Sequence, residues 1–219
     1  MFRKDVLATT VFALVLVGTG LGVTSREASN RAICHNNLRQ LGVAAFEYAE
    51  EHDGVLPPRR ATPNTWIQKL KEYYGSDLVV QCPVGKDMEL TQHSYLINGF
   101  NDYFQSTLTP DQFNNIYMSW LWPRGMRPDA IPEPCDTILF GEKLIYSAHV
   151  HVDFALGTGN DFDEIDHARH FKSSGRTAGA SNHTFADGSV RLLSYGAAVN
   201  PVNMWAIVPE YRTNAPISP

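Results

Sequence analysis

VLATTVFALVLVGTGLGV, residues 6–23, and REASNRAICHNNLRQLGVAAFEYAEEH, residues 26–52, decide the fold between them. The first stretch holds 18 residues without a charge. At about 1.5 Å per residue it reaches roughly 27 Å, just enough for a bilayer core of about 30 Å. Arg3 and Lys4 precede the run and favour a cytoplasmic N-terminus, while Arg26 and Arg31 follow it and weaken that bias. A cleaved signal peptide shares the charged start and apolar middle, but the exit GTGLGVTS, residues 18–25, lacks Ala-x-Ala. A buried core helix is the plainer alternative, and the charges at both ends weigh against it. The reading is a membrane anchor. In the second stretch Cys34, Leu38, Leu41, Ala45 and Tyr48 fall four, three, four and three residues apart. That spacing lays one apolar stripe along a helix, more often a core-facing surface than a partner site. Asp53-Gly54 supplies a stop and Pro57-Pro58 prevents continuation. With no proline before Pro57, the simplest reading is one long helix to about His52, its first half in lipid and its second half packed on a domain.

The remaining composition is that of a globular chain. Of 219 residues, 43% are hydrophobic and 19% charged, which excludes wholesale disorder and leaves room for one anchor and one domain. A net charge of −5 offers no reason to expect nucleic-acid binding. Of three cysteines, Cys34, Cys82 and Cys135, at most two pair within one chain. Cys34–Cys82 and Cys82–Cys135 are both open. The first would staple the long helix to the domain in an oxidising compartment.

Past Pro58 the helical period is lost. NTWIQKLKEYY, residues 64–74, predicts a short helix capped by Asn64 or Thr65 and stopped by Gly75. Leu78–Val80 reads as a short strand, and residues 93–99 alternate as a strand should. Residues 109–116 suggest a helical turn, and Thr137–Phe140 and Leu144–Val152 are rich in strand formers. Residues 182–194 form the strongest hairpin, with Asp187-Gly188 suited to a two-residue type I′ loop. The expectation is an α+β fold, a long N-terminal helix with a membrane-spanning first half packed on an antiparallel β-sheet. Its parts are an anchor (1–25), the helix continuation (26–56), a globular domain (57–208) and an irregular tail (209–219).

Several segments carry a resemblance. The apolar helix running into Cys34-His-Asn-Asn-Leu-Arg-Gln-Leu-Gly42, then Tyr48-Ala-Glu-Glu-His-Asp-Gly54 and Leu56-Pro57, resembles the type IV pilin-like and type II secretion pseudopilin-like proteins. More narrowly it is similar to a large, planctomycete-type bacterial family of prepilin-like proteins with a C-terminal His…Asp-Gly signature. Gln81-Cys82-Pro83, Ser94-Tyr95-Leu-Ile-Asn98, Thr137-Ile-Leu-Phe-Gly-Glu142 and Phe185-Ala-Asp-Gly-Ser-Val-Arg191 resemble further segments of that family, in the same order. The resemblance implies a pilin-like fold and a structural or assembly role. Two features depart from it. Arg3-Lys4-Asp5-Val6-Leu7 stands where the family has the peptidase site Gly-Phe-Thr-Leu-x-Glu, and 16 residues separate His170 from Asp187 where the family has nine.

Chemistry-bearing residues gather in two places. On a strand, His149, His151 and Asp153 would share one face, and two imidazoles with a carboxylate are zinc ligands in kind. His-x-His-x-Asp also resembles metallo-β-lactamase-like hydrolases, although Phe154 stands where those have histidine. Asn160, Asp161, Asp163, Glu164 and Asp166 form an oxygen-rich loop, and Asp161, Asp163 and Asp166 are candidate calcium ligands. Pseudopilins that order a loop with calcium make that ion part of what the resemblance implies. No Gly-x-Ser-x-Gly, phosphate-binding glycine loop or base beside a cysteine is legible, so no catalytic residue is assigned.

The reading is a single-pass membrane protein with a periplasmic or otherwise extracytoplasmic domain, a pilin-like subunit of an envelope secretion or pilus system. Its partners are the membrane and other pilin-like or secretion proteins, with no nucleic acid and no small-molecule substrate. A membrane-tethered metal-dependent hydrolase using His149, His151, Asp153 and His170 is the alternative. A carbohydrate-binding or envelope-binding module is a third, favoured if Trp120 and Trp122 share one exposed patch.

Overall fold

The i, i+3/i+4 stripe does form a helix. A computed structural model describes residues 3–61, 63–85, 93–154, 161–171 and 178–213, with side chains from Ser25 onward apart from Ala61. Helix α1 runs unbroken over Arg3–Glu51. Among the described residues no helix is long and apolar enough to cross a membrane. The side chains of residues 6–23, on which the anchor expectation rests, lie outside that description, as do Asn160 and residues 214–219. Cys34, Leu38, Leu41, Ala45 and Tyr48 are all buried. Each buried leucine contributes roughly 1.5–3 kcal/mol. Beyond Glu51, Gly54 at φ +72° sends the chain out of the helix.

Two strands, β1 (Arg60–Ala61) and β2 (Asn64–Thr65), form a small ribbon. Five more build the main sheet: β3 (Tyr95–Asn98), β4 (Ile138–Glu142), β5 (His151–Val152), β6 (Ala180–Phe185) and β7 (Val190–Ser194). Their order is β5-β3-β4-β6-β7. The sheet is mixed rather than antiparallel. β5 lies parallel to β3, with Ile97 opposite His151, while the other neighbours are antiparallel. Leu144–Val150 does not extend as strand, because Ser147 N–H bonds Leu144 O and Lys143 Nζ bonds Ser147 O, folding that segment on itself.

The sheet separates two apolar layers. Tyr95, Ile97, Leu139 and Phe140 belong to the α1 side, whereas Leu96, Ile138 and Phe185 join Phe154, Phe162 and Trp205 on the other. A bulge between Ile138 and Phe140 lets the consecutive Leu139 and Phe140 both serve the α1 layer. Helix and sheet meet closely at Gly42, where an added Cβ would stand 2.9 Å from Thr184 Cγ2. There Thr184 Oγ1 donates to Leu38 O at 2.9 Å.

Cys34 pairs with Cys82, leaving Cys135 free and exposed. Asn37 Nδ2, one turn on, donates to Gln81 O at 2.9 Å, so α1 is tied covalently and by hydrogen bonds to the 78–82 segment. That segment is a 3₁₀ turn, Asp77–Val80, not the expected strand, because Ser76 caps it by accepting from Leu78 N. The hairpin forms with a different loop. Only Gly188 has positive φ; Asp187 instead accepts Ser189 N–H, and Ala186-Asp187-Gly188 makes a three-residue loop closed by Gly188 N to Phe185 O. Pro209–Thr213 in the tail is one helical turn.

Candidate functional site

The end of β5 carries a cluster of ionisable side chains at the floor of a cleft. His151 is in the strand and Asp153 follows it, both buried. Asp161 returns beside them: Asp161 Oδ2 accepts from Asp153 N at 2.9 Å, and Asp161 N donates to Asp153 O at 2.9 Å. His151, Asp153 and Asp161 thus place one ligand atom each within 4.8 Å of one another. They line a cleft of about 560 Å³ together with Arg59, Arg60, Trp120 and His149.

A cation of the protein's own already serves this cluster. Arg59 Nη1 ion-pairs Asp153 Oδ2 and approaches His151 Nε2 at 2.8 Å. Arg59 Nη2 donates to Tyr117 O at 2.7 Å, and its plane lies 4.0 Å from the Tyr117 ring centre. Burial alone would push the Asp153 carboxyl up; His151 and Arg59 outweigh it and hold Asp153 below the ordinary carboxylate value. Burial first, and then the Asp153 charge, drive the Tyr117 phenol well above its usual value. Gly99 is required here, because a Cβ would overlap Asp153 Oδ1.

His149 does not share a face with His151 and Asp153, because the strand holds only two residues. It is half exposed at the rim, 3.2 Å from Asp161 Oδ1 and 3.9 Å from Glu164 Oε1. The hydrogen bond to Asp161 raises its imidazole above the usual value. The three calcium candidates separate: Asp161 faces His151, Asp163 is exposed, and buried Asp166 accepts Ala168 N at 3.0 Å. Trp120 lines the cleft under Arg60, at 4.0 Å from its ring, whereas Trp122 packs on Phe104 elsewhere.

The motif segments meet in the core instead. His170 Nε2 lies 2.9 Å from Glu142 Oε1, and Glu142 Oε2 accepts from Asn182 N at 2.8 Å. Ser94 Oγ accepts Cys82 N–H at 2.8 Å. Asn98 Nδ2 donates to Ile138 O and Trp205 O, both at 2.8 Å, and its Oδ1 accepts from Phe100 N. No family model, curated protein or solved structure matches this chain.

Sequence reading missed Arg59 and Tyr117. Arg59 stands 92 and 94 residues from its partners His151 and Asp153, and no local spacing links them. The only local signal is the Pro57-Pro58 pair, which fixes the approach of the chain.

Proposed function

We propose that this chain is a membrane-anchored, pilin-like or pseudopilin-like structural or accessory subunit of an envelope secretion or pilus system. The observation that carries the reading is α1. One helix, Arg3–Glu51, contains both the charge-free run at 6–23 and the stripe packed on the sheet. An extracytoplasmic domain also gives Cys34–Cys82 the oxidising surroundings in which disulfides persist.

On this reading the protein works physically and is not an enzyme. The apolar half of α1 stays in lipid, or packs beside other helices through Gly18, Gly20 and Gly22, and the sheet domain presents its loops to other pilin-like or secretion proteins. Two observations support a scaffold over a hydrolase. Arg59 takes the position between His151 and Asp153 that a catalytic metal would need, and Ser94 and Asn98 spend their polar groups on holding the fold.

Exposed Cys135 supplies the test. A membrane-impermeant maleimide added to spheroplasts of an expressing bacterium is expected to label Cys135, with the protein recovered in carbonate-washed membranes. Labelling only after lysis, or release into the carbonate wash, would refute the topology.

A further inference from the structure

The Cys34–Cys82 bridge is not surrounded by apolar groups alone. Cys34 on α1, Cys82 before Pro83, Glu142 at the end of β4 and His170 at its bridge to Ala180 each place one ligand atom within 4.8 Å of the others. All four residues are 0% exposed. His170 uses one ring nitrogen toward Glu142, while its Nδ1 is buried with no hydrogen-bond partner among the described residues. A disulfide is uncharged and a weak acceptor, so it gives no reason to bury a carboxylate–imidazole pair against it. Two thiolates, an imidazole and a carboxylate, by contrast, are a zinc ligand set. Zinc bonds of about 2.0–2.3 Å at a tetrahedral angle separate ligand atoms by roughly 3.3–3.8 Å. Atoms already inside 4.8 Å need only ångström-scale shifts to reach that arrangement once the S–S bond opens.

We propose that reduction of the Cys34–Cys82 bond converts this cluster into a closed zinc site held by Cys34, Cys82, His170 and Glu142. The S–S bond breaks as a dithiol delivers two electrons and two protons and becomes its own disulfide. Zinc then displaces the two thiol protons, which leave to solvent, and takes one nitrogen from His170 and one oxygen from Glu142. Asn182 N–H, bonded to the other Glu142 oxygen, orients that carboxylate from outside the site. Thiolates select against calcium and magnesium, and mixed S, N and O ligation on four sides suits zinc. The same four side chains therefore close the α1–sheet junction in either redox state, by a covalent bond or by an ion.

The test uses the full chain in detergent, carrying Cys135→Ser so that only two thiols remain. A phosphine reductant, oxidised to its oxide with oxygen from water, opens the bridge, and cobalt(II) is added as the spectroscopic probe for zinc. The expected result is one cobalt per reduced chain, with thiolate-to-cobalt absorption and intense tetrahedral d–d bands, displaced by equimolar zinc. The oxidised chain takes up none. His170→Ala and Glu142→Gln are each expected to weaken binding at least about tenfold. If reduction unfolds the chain, one equivalent of zinc is expected to restore its helical circular dichroism. Reduced chain with two free thiols that takes up under about a tenth of an equivalent, or gives a weak octahedral spectrum, would overturn the proposal. So would affinity unchanged in both variants, or an unfolded reduced chain that zinc does not restore.

Discussion

Removing the Cys34–Cys82 bridge should loosen the whole junction between α1 and the sheet. The bond closes a loop with a sequence separation of 48. On the chain-entropy model, a loop of that length restricts the unfolded state by about 14 cal/mol/K, which is about 4 kcal/mol at 25 °C. Cys34→Ala with Cys82→Ala is the suitable perturbation, because both sites are fully buried and serine would leave hydroxyls unsatisfied. The parent carries Cys135→Ser to prevent mispairing. Guanidinium unfolding can be followed by the fluorescence of Trp66 and Trp205, both fully buried. At a slope of about 4 kcal/mol/M, the midpoint should fall by roughly 1 M. The slope should also rise, since an unbridged unfolded chain exposes more surface. A loss under about 1 kcal/mol with an unchanged slope would refute the reasoning.

Three further outcomes follow from the buried polar groups and tight glycines. Arg59→Leu leaves Asp153 charged and buried without its partner, and should cost about 3–5 kcal/mol in denaturant unfolding, while Arg59→Leu/Asp153→Leu should recover most of that. Gly125→Ala drives a Cβ into the Leu56 carbonyl and should destabilise by about 1–3 kcal/mol, read as a lower thermal midpoint. Burial pushes the His93 and His183 imidazoles down, to about 4 and about 3, against 6.5 for a free imidazole. The unfolded chain binds those protons first, so their contribution is complete above pH 6.5 and falls below it, by up to about 1.4 kcal/mol per pH unit for each histidine. His149, raised by its bond to Asp161, acts with the opposite sign and partly offsets this. His183→Leu should therefore flatten the fall of the thermal midpoint between about pH 7.5 and about pH 4.5; an unchanged fall would rule out His183 as a source.

What could be read in the sequence were the features set by local period. The stripe Cys34, Leu38, Leu41, Ala45, Tyr48 repeats with the helix, and the alternation around Tyr95 and Ile97 repeats with the strand. Val79 and Val80 read as strand formers, but one capping bond from Ser76 settles the segment as a 3₁₀ turn. β5 has two residues, too short for alternation to show, and its parallel direction depends on where β3 lies. Cysteine pairing rests on a tertiary distance between Cys34 and Cys82 that no spacing encodes. For the same reason the site was only half legible. His151 and Asp153 stand out as a motif, whereas Asp161 joins them from eight residues further along and Arg59 reaches them from the far end of α1's exit.

Membrane anchoring through residues 6–23 is tested most directly by the intact mass of the protein extracted from carbonate-washed membranes. The expected result is a chain that keeps that run, either at the full 24.4 kDa or from a methylated N-terminus near residue 5. A mature chain starting near residue 24 would contradict it, because the helix left behind would hold only the sheet-packed stripe.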